Sequence, residues 1–226
     1  MGTLFVVATP IGNLQDISAR AREILASADL VLCEDTRVTA KLLSVYDIHV
    51  RTAALHQHST DAKHQAYIRL LAEGKTLALV SDAGTPAISD PGGRFVEDVL
   101  RALGDEAKII PIPGPSAVTA VLSVSGFPAD TFTFLGFPPQ KKGREAFFRS
   151  LVHIEHTVVF YESIHRIVKA LASLSALLPE RQMVLCRELT KLHEHIYRGT
   201  PAQVTDALLG DSIKGECVIV LAPARF

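Results

Sequence analysis

The chain has 226 residues, 48% of them apolar and 21% charged, which is enough to bury a sizeable core and is ordinary for a globular protein. Its 23 basic and 24 acidic side chains nearly cancel, leaving a net charge of −1, so a global basic field for nucleic acid is excluded. Any contact with RNA has to come from a local patch or from a part outside this sequence. The three cysteines, Cys33, Cys186 and Cys217, are odd in number, and each lies in or at the end of an apolar strand-like run, which reads as buried, reduced thiols of a cytosolic protein. The start, Met1-Gly2-Thr3-Leu4, enters a strand directly with no basic leader. The longest apolar run, near residues 117–124, is too short to span a bilayer.

Residues 4–8 read as a continuous apolar strand, followed by the turn Thr9-Pro10-Ile11-Gly12-Asn13-Leu14. Asp16 is placed to cap a helix with Ile17, Ala21, Ile24, Leu25 and Ala28 on its apolar face. A second strand, 30–33, ends in Glu34-Asp35-Thr36-Arg37, and a helix with Val38, Leu42 and Leu43 follows. A short strand near 52–55 leads into His56-Gln57-His58-Ser59, then a helix from Asp61 stops at Gly74. The strand 76–80 leads into the stretch around which the chain is organised, Leu79-Val80-Ser81-Asp82-Ala83-Gly84-Thr85-Pro86-Ala87-Ile88-Ser89-Asp90-Pro91-Gly92-Gly93. The next helix carries Phe95, Val96, Val99, Leu100 and Leu103, with Ser89 or Asp90 as its N-cap and Pro91 at its first position. A fifth strand covers 108–112. Apolar strands alternating with helices predict a mostly parallel sheet covered on both faces.

The proline-rich stretch Pro111-Ile112-Pro113-Gly114-Pro115-Ser116 marks a domain boundary, giving α/β domains at 1–113 and 114–226. Beyond it the pattern predicts a helix capped by Ser116, a strand at 132–137, and the basic loop Pro138-Pro139-Gln140-Lys141-Lys142-Gly143-Arg144. A helix with Phe147, Phe148 and Leu151 comes next, then a strand at 157–161 and a helix at 164–178 capped by Ser163. A hairpin of 183–189 and 195–198 precedes the capping box Thr200-Pro201-Ala202-Gln203 and a last strand at 216–222. Hairpin and crossover connections together predict a mixed sheet.

Polar or Gly/Pro-rich loops close several strands: 9–13, 34–37, 81–88 and 113–117. In an open α/β sheet such loops gather at the ligand-binding edge. A capped helix start accounts for 89–93, but the small polar run 81–85 points to a ligand. Dinucleotide, P-loop and nucleophile-elbow motifs are absent. Glu34 and Asp35 beside Arg37 read either as a salt-bridged helix start or as a carboxylate that orients a substrate hydroxyl next to a phosphate grip. Arg187, Glu188, Thr190 and Lys191 form a similar cluster, equally explained by cross-strand ion pairs. His56-x-His58 and His193-x-His195 lack further ligands at recognisable spacing, so no metal is expected. Lys141, Lys142, Arg144 and Arg149, with Phe147 and Phe148 interleaved, read first as a solvated run and a packing pair, and second as a phosphate-tracking stretch.

Six ordered motifs carry a resemblance: Val7 to Leu14, Cys33-Glu34-Asp35-Thr36-Arg37, Leu79 to Gly92, Pro113-Gly114-Pro115-Ser116, Phe160-Tyr161-Glu162-Ser163 and Arg187-Glu188-Leu189-Thr190-Lys191. Together they resemble the ribosomal RNA small-subunit methyltransferase I family, within the tetrapyrrole-methylase-like class of S-adenosylmethionine-dependent methyltransferases. The resemblance covers nearly the whole chain. It implies two α/β domains with the cofactor in the cleft between them and a homodimer; the cysteines and the short apolar runs give the expectation of a cytoplasmic protein with no membrane partner. The implied reaction is 2′-O-methylation of a cytidine in the decoding region of small-subunit rRNA. By motif, Pro10, Asp82, Ala83, Gly84, Thr85, Ile88, Ser116, Ala117, Tyr161, Leu189 and Gly215 would line S-adenosylmethionine. Relatives usually continue into a further helical segment where this sequence stops at Phe226. No catalytic residue is carried over. From the chemistry alone, Asp35 or Glu34 would receive or orient the hydroxyl proton, and Arg37 and Lys191 would hold phosphate or ease developing charge. Two other readings predict different behaviour: a methylase of a tetrapyrrole or other small molecule needs a deep closed pocket, and a non-catalytic RNA-binding or assembly module needs no cofactor affinity.

Overall fold

The computed structural model describes residues 1–56, 59–210 and 214–226. Chain contacts divide it into two compact units, Met1–Ser116 and Ala117–Phe226. The first unit alternates β1 (Thr3–Val7), α1 (Ala19–Ser27), β2 (Leu30–Cys33), α2 (Thr36–Val45), β3 (Thr52–Ala54), α3 (Asp61–Ala72), β4 (Thr76–Leu79), α4 (Gly92–Leu103) and β5 (Lys108–Ile112). Its sheet has the order β3-β2-β4-β1-β5, and every pair is parallel.

That order follows from handedness. Strand–helix–strand crossovers between parallel strands are right-handed, so connections running in opposite directions along a sheet place their helices on opposite faces. The chain leaves β1 toward β2 and β3, then returns through β4 to β5. Accordingly α1 and α2 pack on one face with Val7, Val31, Cys33, Ala78 and Val80. Helices α3 and α4 cover the other, where Leu4, Leu30, Leu32, Leu77 and Leu79 meet Ile68, Leu71, Phe95 and Val99. Alternate residues of one strand serve alternate faces, which is why β2 and β4 read as unbroken apolar runs.

The second unit contains α5 (Ala117–Ser125), β6 (Phe132–Phe134), α6 (Arg144–Ser150), β7 (Thr157–Ser163), α7 (Ile164–Leu177), β8 (Met183–Arg187), β9 (His195–Gly199), α8 (Pro201–Leu209) and β10 (Glu216–Leu221). Its sheet, β6-β7-β10-β8-β9, is mixed: β6 and β7 are parallel and the other pairs antiparallel. One face buries Val158, Phe160, Leu185 and Ile219 under α6, α7 and α8. The other buries Val159, Val184, Val218 and Val220 under α5. Arg181 is also buried in this unit, with its guanidinium donating to the carbonyls of Leu151, Ile154, His156 and Ala222 at 2.7–3.1 Å.

Local details correct several expectations. Ser18, not Asp16, caps α1 and accepts from Ala21 N at 3.0 Å, while Asp16 lies in a preceding turn of 3-10 helix capped by Asn13. Pro91 itself occupies the cap position of α4, and the Asp90 carboxylate instead accepts from Ala87 N and Gly92 N at 2.8 and 2.7 Å. The sixth strand ends at Phe134 because Gly136, at φ +60°, bends the chain. The hairpin strand β8 ends at Arg187, since Glu188 and Thr190 both take left-handed backbone. Ser163 starts α7 without a side-chain cap bond. The capping box of Thr200 and Gln203 is formed in full.

Candidate functional site

In the first unit the connections from β1 and β4 depart toward opposite faces although the strands are neighbours. The space at their carboxyl ends is therefore a topological switch point, where open α/β sheets bind ligands. The two loops that meet there are joined directly. Thr9 N donates to Gly84 O at 2.9 Å and Gly84 N donates to Thr9 O at 3.1 Å. Thr9 Oγ1, fully buried, donates to Ser81 O at 3.2 Å, and Ser81 Oγ lies 3.2 Å from both Ala83 O and Gly84 O. Thr85 Oγ1 donates to Pro115 O at 3.2 Å, tying in the loop that follows β5 and ends at Ser116.

Glycine is required at this junction. Gly84 sits at φ +82°, and a Cβ there would lie 3.3 Å from Ile11 Cγ2 and 3.7 Å from Pro115 O. A Cβ on Gly114 would come within 3.0 Å of Ala8 Cβ. The loop tip stays open to solvent: Asp82, Ala83 and Ile88 are exposed, while Gly84 and Pro86 are buried beneath them. Pro10, on the facing loop, is buried.

The end of β2 reaches the same edge. Asp82 Oδ1 accepts from Asp35 N at 3.2 Å. Asp35 caps α2: its Oδ1 accepts from Arg37 N at 2.8 Å, and its two oxygens take Arg37 Nε and Nη2 at 3.1 and 2.6 Å. These bonds hold its carboxyl down at about 2. Glu34 is the opposite case. Half-buried, it is shifted upward first by desolvation and then by the neighbouring charges of Asp90 and Asp82, against a bond from the Asp82 N–H. Partial desolvation raises the Asp82 carboxyl too, although the residue is exposed, against the bond from Asp35 N. The two adjacent carboxylates thus separate into a fixed helix cap, Asp35, and a carboxyl of raised proton affinity, Glu34. Arg37 keeps most of its side chain, 86%, exposed.

In the second unit Tyr161 lies on β7, with the rings of Phe134 and Phe137 at centroid distances of 5.0 and 5.2 Å, and burial raises its hydroxyl. Leu189 follows β8 and packs partly buried against the apolar cluster under α5, where Ala117 also sits. Gly215, at φ +100°, touches the Glu188 carboxylate so closely that a Cβ would fall 2.3 Å from its Cδ. Glu188 Oε1 accepts from Glu216 N and from Lys191 Nζ, both at 2.9 Å, and Lys191 also reaches Glu216 Oε2 at 2.9 Å. Burial works to raise the Glu188 carboxyl, but the bonds from Lys191 and Glu216 outweigh it and hold it low. Lys191 is therefore spent on two carboxylates, which makes it a brace for the turns bearing Leu189 and Gly215.

Sequence reasoning did not find Glu162 as a hub. Its side chain is completely buried and accepts from Arg144 Nη2 at 2.6 Å, Arg166 Nε at 3.0 Å and Ser163 N at 2.7 Å. The available signal was a lone carboxylate at the end of an apolar strand, with arginines at 144 and 166. Among the described residues no group of three His, Cys, Asp or Glu is arranged to hold a metal ion. His58, of the His56-x-His58 pair, lies outside them. His195 stacks on Tyr197 at 4.4 Å. Cys33, Cys186 and Cys217 are buried and free, and desolvation pushes the last two up to about 12. No described helix is long and apolar enough to cross a membrane.

Two α/β units of this topology, the first with its two glycine-bearing loops locked at the switch point, define a class. The chain belongs to the tetrapyrrole (corrin/porphyrin) methylase family, whose model matches residues 3–205. Within it, the chain is 44% identical over 227 aligned residues to a Neisseria meningitidis serogroup A protein called ribosomal RNA small subunit methyltransferase I, covering 99% of this chain and 77% of that one. Solved structures share the fold at low identity. Diphthine synthase superposes with a TM-score of 0.73 at 17% identity, covering 98% of this chain and 90% of that one. Uroporphyrin-III C-methyltransferase from Thermus thermophilus, complexed with S-adenosyl homocysteine, gives 0.64 at 16%, covering 99% of each chain.

Proposed function

We propose that the protein is an S-adenosylmethionine-dependent methyltransferase of small-subunit ribosomal RNA, acting on the 2′-hydroxyl of a cytidine in the decoding region. The observation that carries the reading is the pairing of Thr9 with Gly84 at the switch point, in a chain 44% identical to a protein named for rRNA methylation. The residues fit the donor by their chemistry. Asp82 offers an exposed carboxylate for ribose hydroxyls or an ammonium, Ala83, Gly84 and Thr85 offer backbone, and Ile88 presents an apolar side chain that is 46% exposed. Pro10 and Ser116 border the same loops. Ala117, Tyr161, Leu189 and Gly215 are proposed on the sequence resemblance, each to be tested by substitution.

S-adenosylmethionine supplies an electrophilic methyl on a sulfonium sulfur. The protein's share is alignment of the acceptor oxygen with that methyl, plus management of one proton. Glu34 is the group we assign to that proton, because its raised affinity lets it accept from a hydroxyl that loses the proton only as the C–O bond forms. Asp35, held near 2, instead orients Arg37. The rest of the Arg37 guanidinium faces solvent and suits an RNA phosphate. A cytoplasmic setting and a homodimer belong to the same proposal; sedimentation velocity tests the second.

Calorimetry with S-adenosylmethionine tests the donor assignment. Binding by the parent chain, weakened about ten-fold or more by Asp82→Ala, is expected. A chain that binds no donor fits the non-catalytic reading instead.

A further inference from the structure

We infer that the segment 137–144 of the second unit is a contact for single-stranded RNA, an inference that rests on rRNA being the substrate. The segment leaves β6 at Gly136 and enters α6 through Gly143, both in left-handed backbone. Between them the structure presents an aromatic ring and two free charges. Phe137 is 55% exposed, with its ring tilted 56° against Tyr161 at a centroid distance of 5.2 Å. Lys141 and Lys142 are exposed and make no ion pair among the described residues.

Two acids of the neighbouring elements, one on α6 and one on β7, are engaged by arginines. Glu145 pairs with Arg149 at 2.6 Å, and the buried Glu162 takes Arg144 and Arg166. The same two arginines fix the loop: Arg166 Nη1 donates to Pro138 O and Arg144 Nη1 to Pro139 O, each at 3.4 Å. Pro138 is buried, so its ring anchors the segment as well. A fully buried carboxylate thus organises a surface loop through two guanidinium groups, and much of the ordering cost is met before any partner arrives.

A loop anchored at Pro138 and Pro139, with an exposed ring and a pair of ammonium groups that make no ion pair among the described residues, matches one ligand chemistry well. The ring offers a face to an unstacked base, and the lysines track the phosphates beside it. Duplex RNA has no free base face to give, so the match is to a single-stranded or loop segment. An acidic peptide would use the lysines but leave the ring idle, and it serves as a competitor in the test.

The experiment measures anisotropy of a fluorescein-labelled single-stranded RNA with the 226-residue chain across a salt series. Each phosphate neutralised on a single strand adds about 0.7 to the steepness of the salt dependence, so Lys141→Gln/Lys142→Gln should flatten the slope by about 1.4. Phe137→Ala should weaken binding roughly ten-fold while leaving the slope unchanged, and Phe137→Trp should restore it. An unchanged melting curve and unchanged S-adenosylhomocysteine affinity of the lysine variant show that its fold is intact. Failure of the parent chain to bind RNA, an unaltered slope in the lysine variant, or displacement by an acidic peptide but not by unlabelled RNA would overturn the inference. Methyl transfer to small ribosomal subunits is scored separately: parent activity with variants of unchanged KM sinks the RNA contact and leaves the rRNA reading standing.

Discussion

Thr9 and Gly84 exchange both of their backbone hydrogen bonds, at 2.9 and 3.1 Å, across two loops 75 residues apart in the chain. One residue pair therefore locks the exits of β1 and β4 where their connections diverge. Gly84→Ala keeps the bonds possible but forces an L side chain into φ +82° against Ile11. We expect a stability loss of about 1–2 kcal/mol by urea unfolding. S-adenosylhomocysteine affinity, read by calorimetry, should fall by more than that loss explains, because the loop itself is displaced.

Glu34 and Asp35 should part company when each is neutralised. Glu34→Gln is expected to lower kcat by about 100-fold, the ordinary contribution of a positioned base, with little change in donor affinity. In the parent enzyme the acid limb of the rate profile should be displaced upward from the ordinary glutamate value, since desolvation raises Glu34, and activity should rise with pH through that limb. In Glu34→Gln this limb should vanish. Asp35→Asn should mainly raise KM for RNA, because it frees Arg37.

The linked stability effects have opposite signs. Asp35 titrates near 2 in the folded chain, below its unfolded value, so its contribution is complete above about pH 4 and fades as pH falls toward 2. Glu34 binds its proton more tightly when folded, so its ionisation costs stability as pH rises from the unfolded value through the raised one. Acid unfolding curves of Asp35→Asn and Glu34→Gln against the parent should show these two differences with opposite slopes.

Arg181 donates to four backbone carbonyls in the second unit, at 2.7–3.1 Å, and none of these acceptors is a carboxylate. Arg181→Met would leave those acceptors dry, and we expect a loss of about 3–5 kcal/mol. Arg181→Lys, which cannot span all four, should recover only part. Hydrogen exchange should place the damage in β7, β8 and β10 and leave the first unit's sheet protected.

Gly215 and Glu188 make a second close fit. Gly215→Ala puts a methyl 2.3 Å from the Glu188 carboxylate carbon, so it should destabilise strongly by itself. Glu188→Ala removes the obstruction, and the double variant should be more stable than the sum of the single changes predicts. A double-mutant cycle by urea unfolding checks this, with residual strain expected from the left-handed backbone at 215.

The parallel sheet was legible because β2 and β4 are unbroken apolar runs bounded by Gly, Asp and Ser, and burial on both faces demands that pattern. The capping box at Thr200 was legible because both of its partners are local. Asp16 and Asp90 misled for the same reason in reverse: each has cap chemistry, but Ser18 lies at the distance that reaches Ala21 N, and the Asp90 carboxylate closes the 87–90 turn. The loops of the site were visible as loops. Their joining at Thr9 and Gly84 was not, since a pairing across 75 residues leaves no local periodicity. Nor could spacing separate Glu34 from Asp35, which only burial and the position of Arg37 tell apart.

Transfer of labelled methyl from S-adenosylmethionine to small ribosomal subunits lacking the modification tests the central claim most directly. Label is expected in RNA that digests to 2′-O-methylcytidine, and it should be lost in Glu34→Gln and in Asp82→Ala. Label appearing in a tetrapyrrole and not in RNA, or on a base carbon or nitrogen and not on ribose, would contradict it.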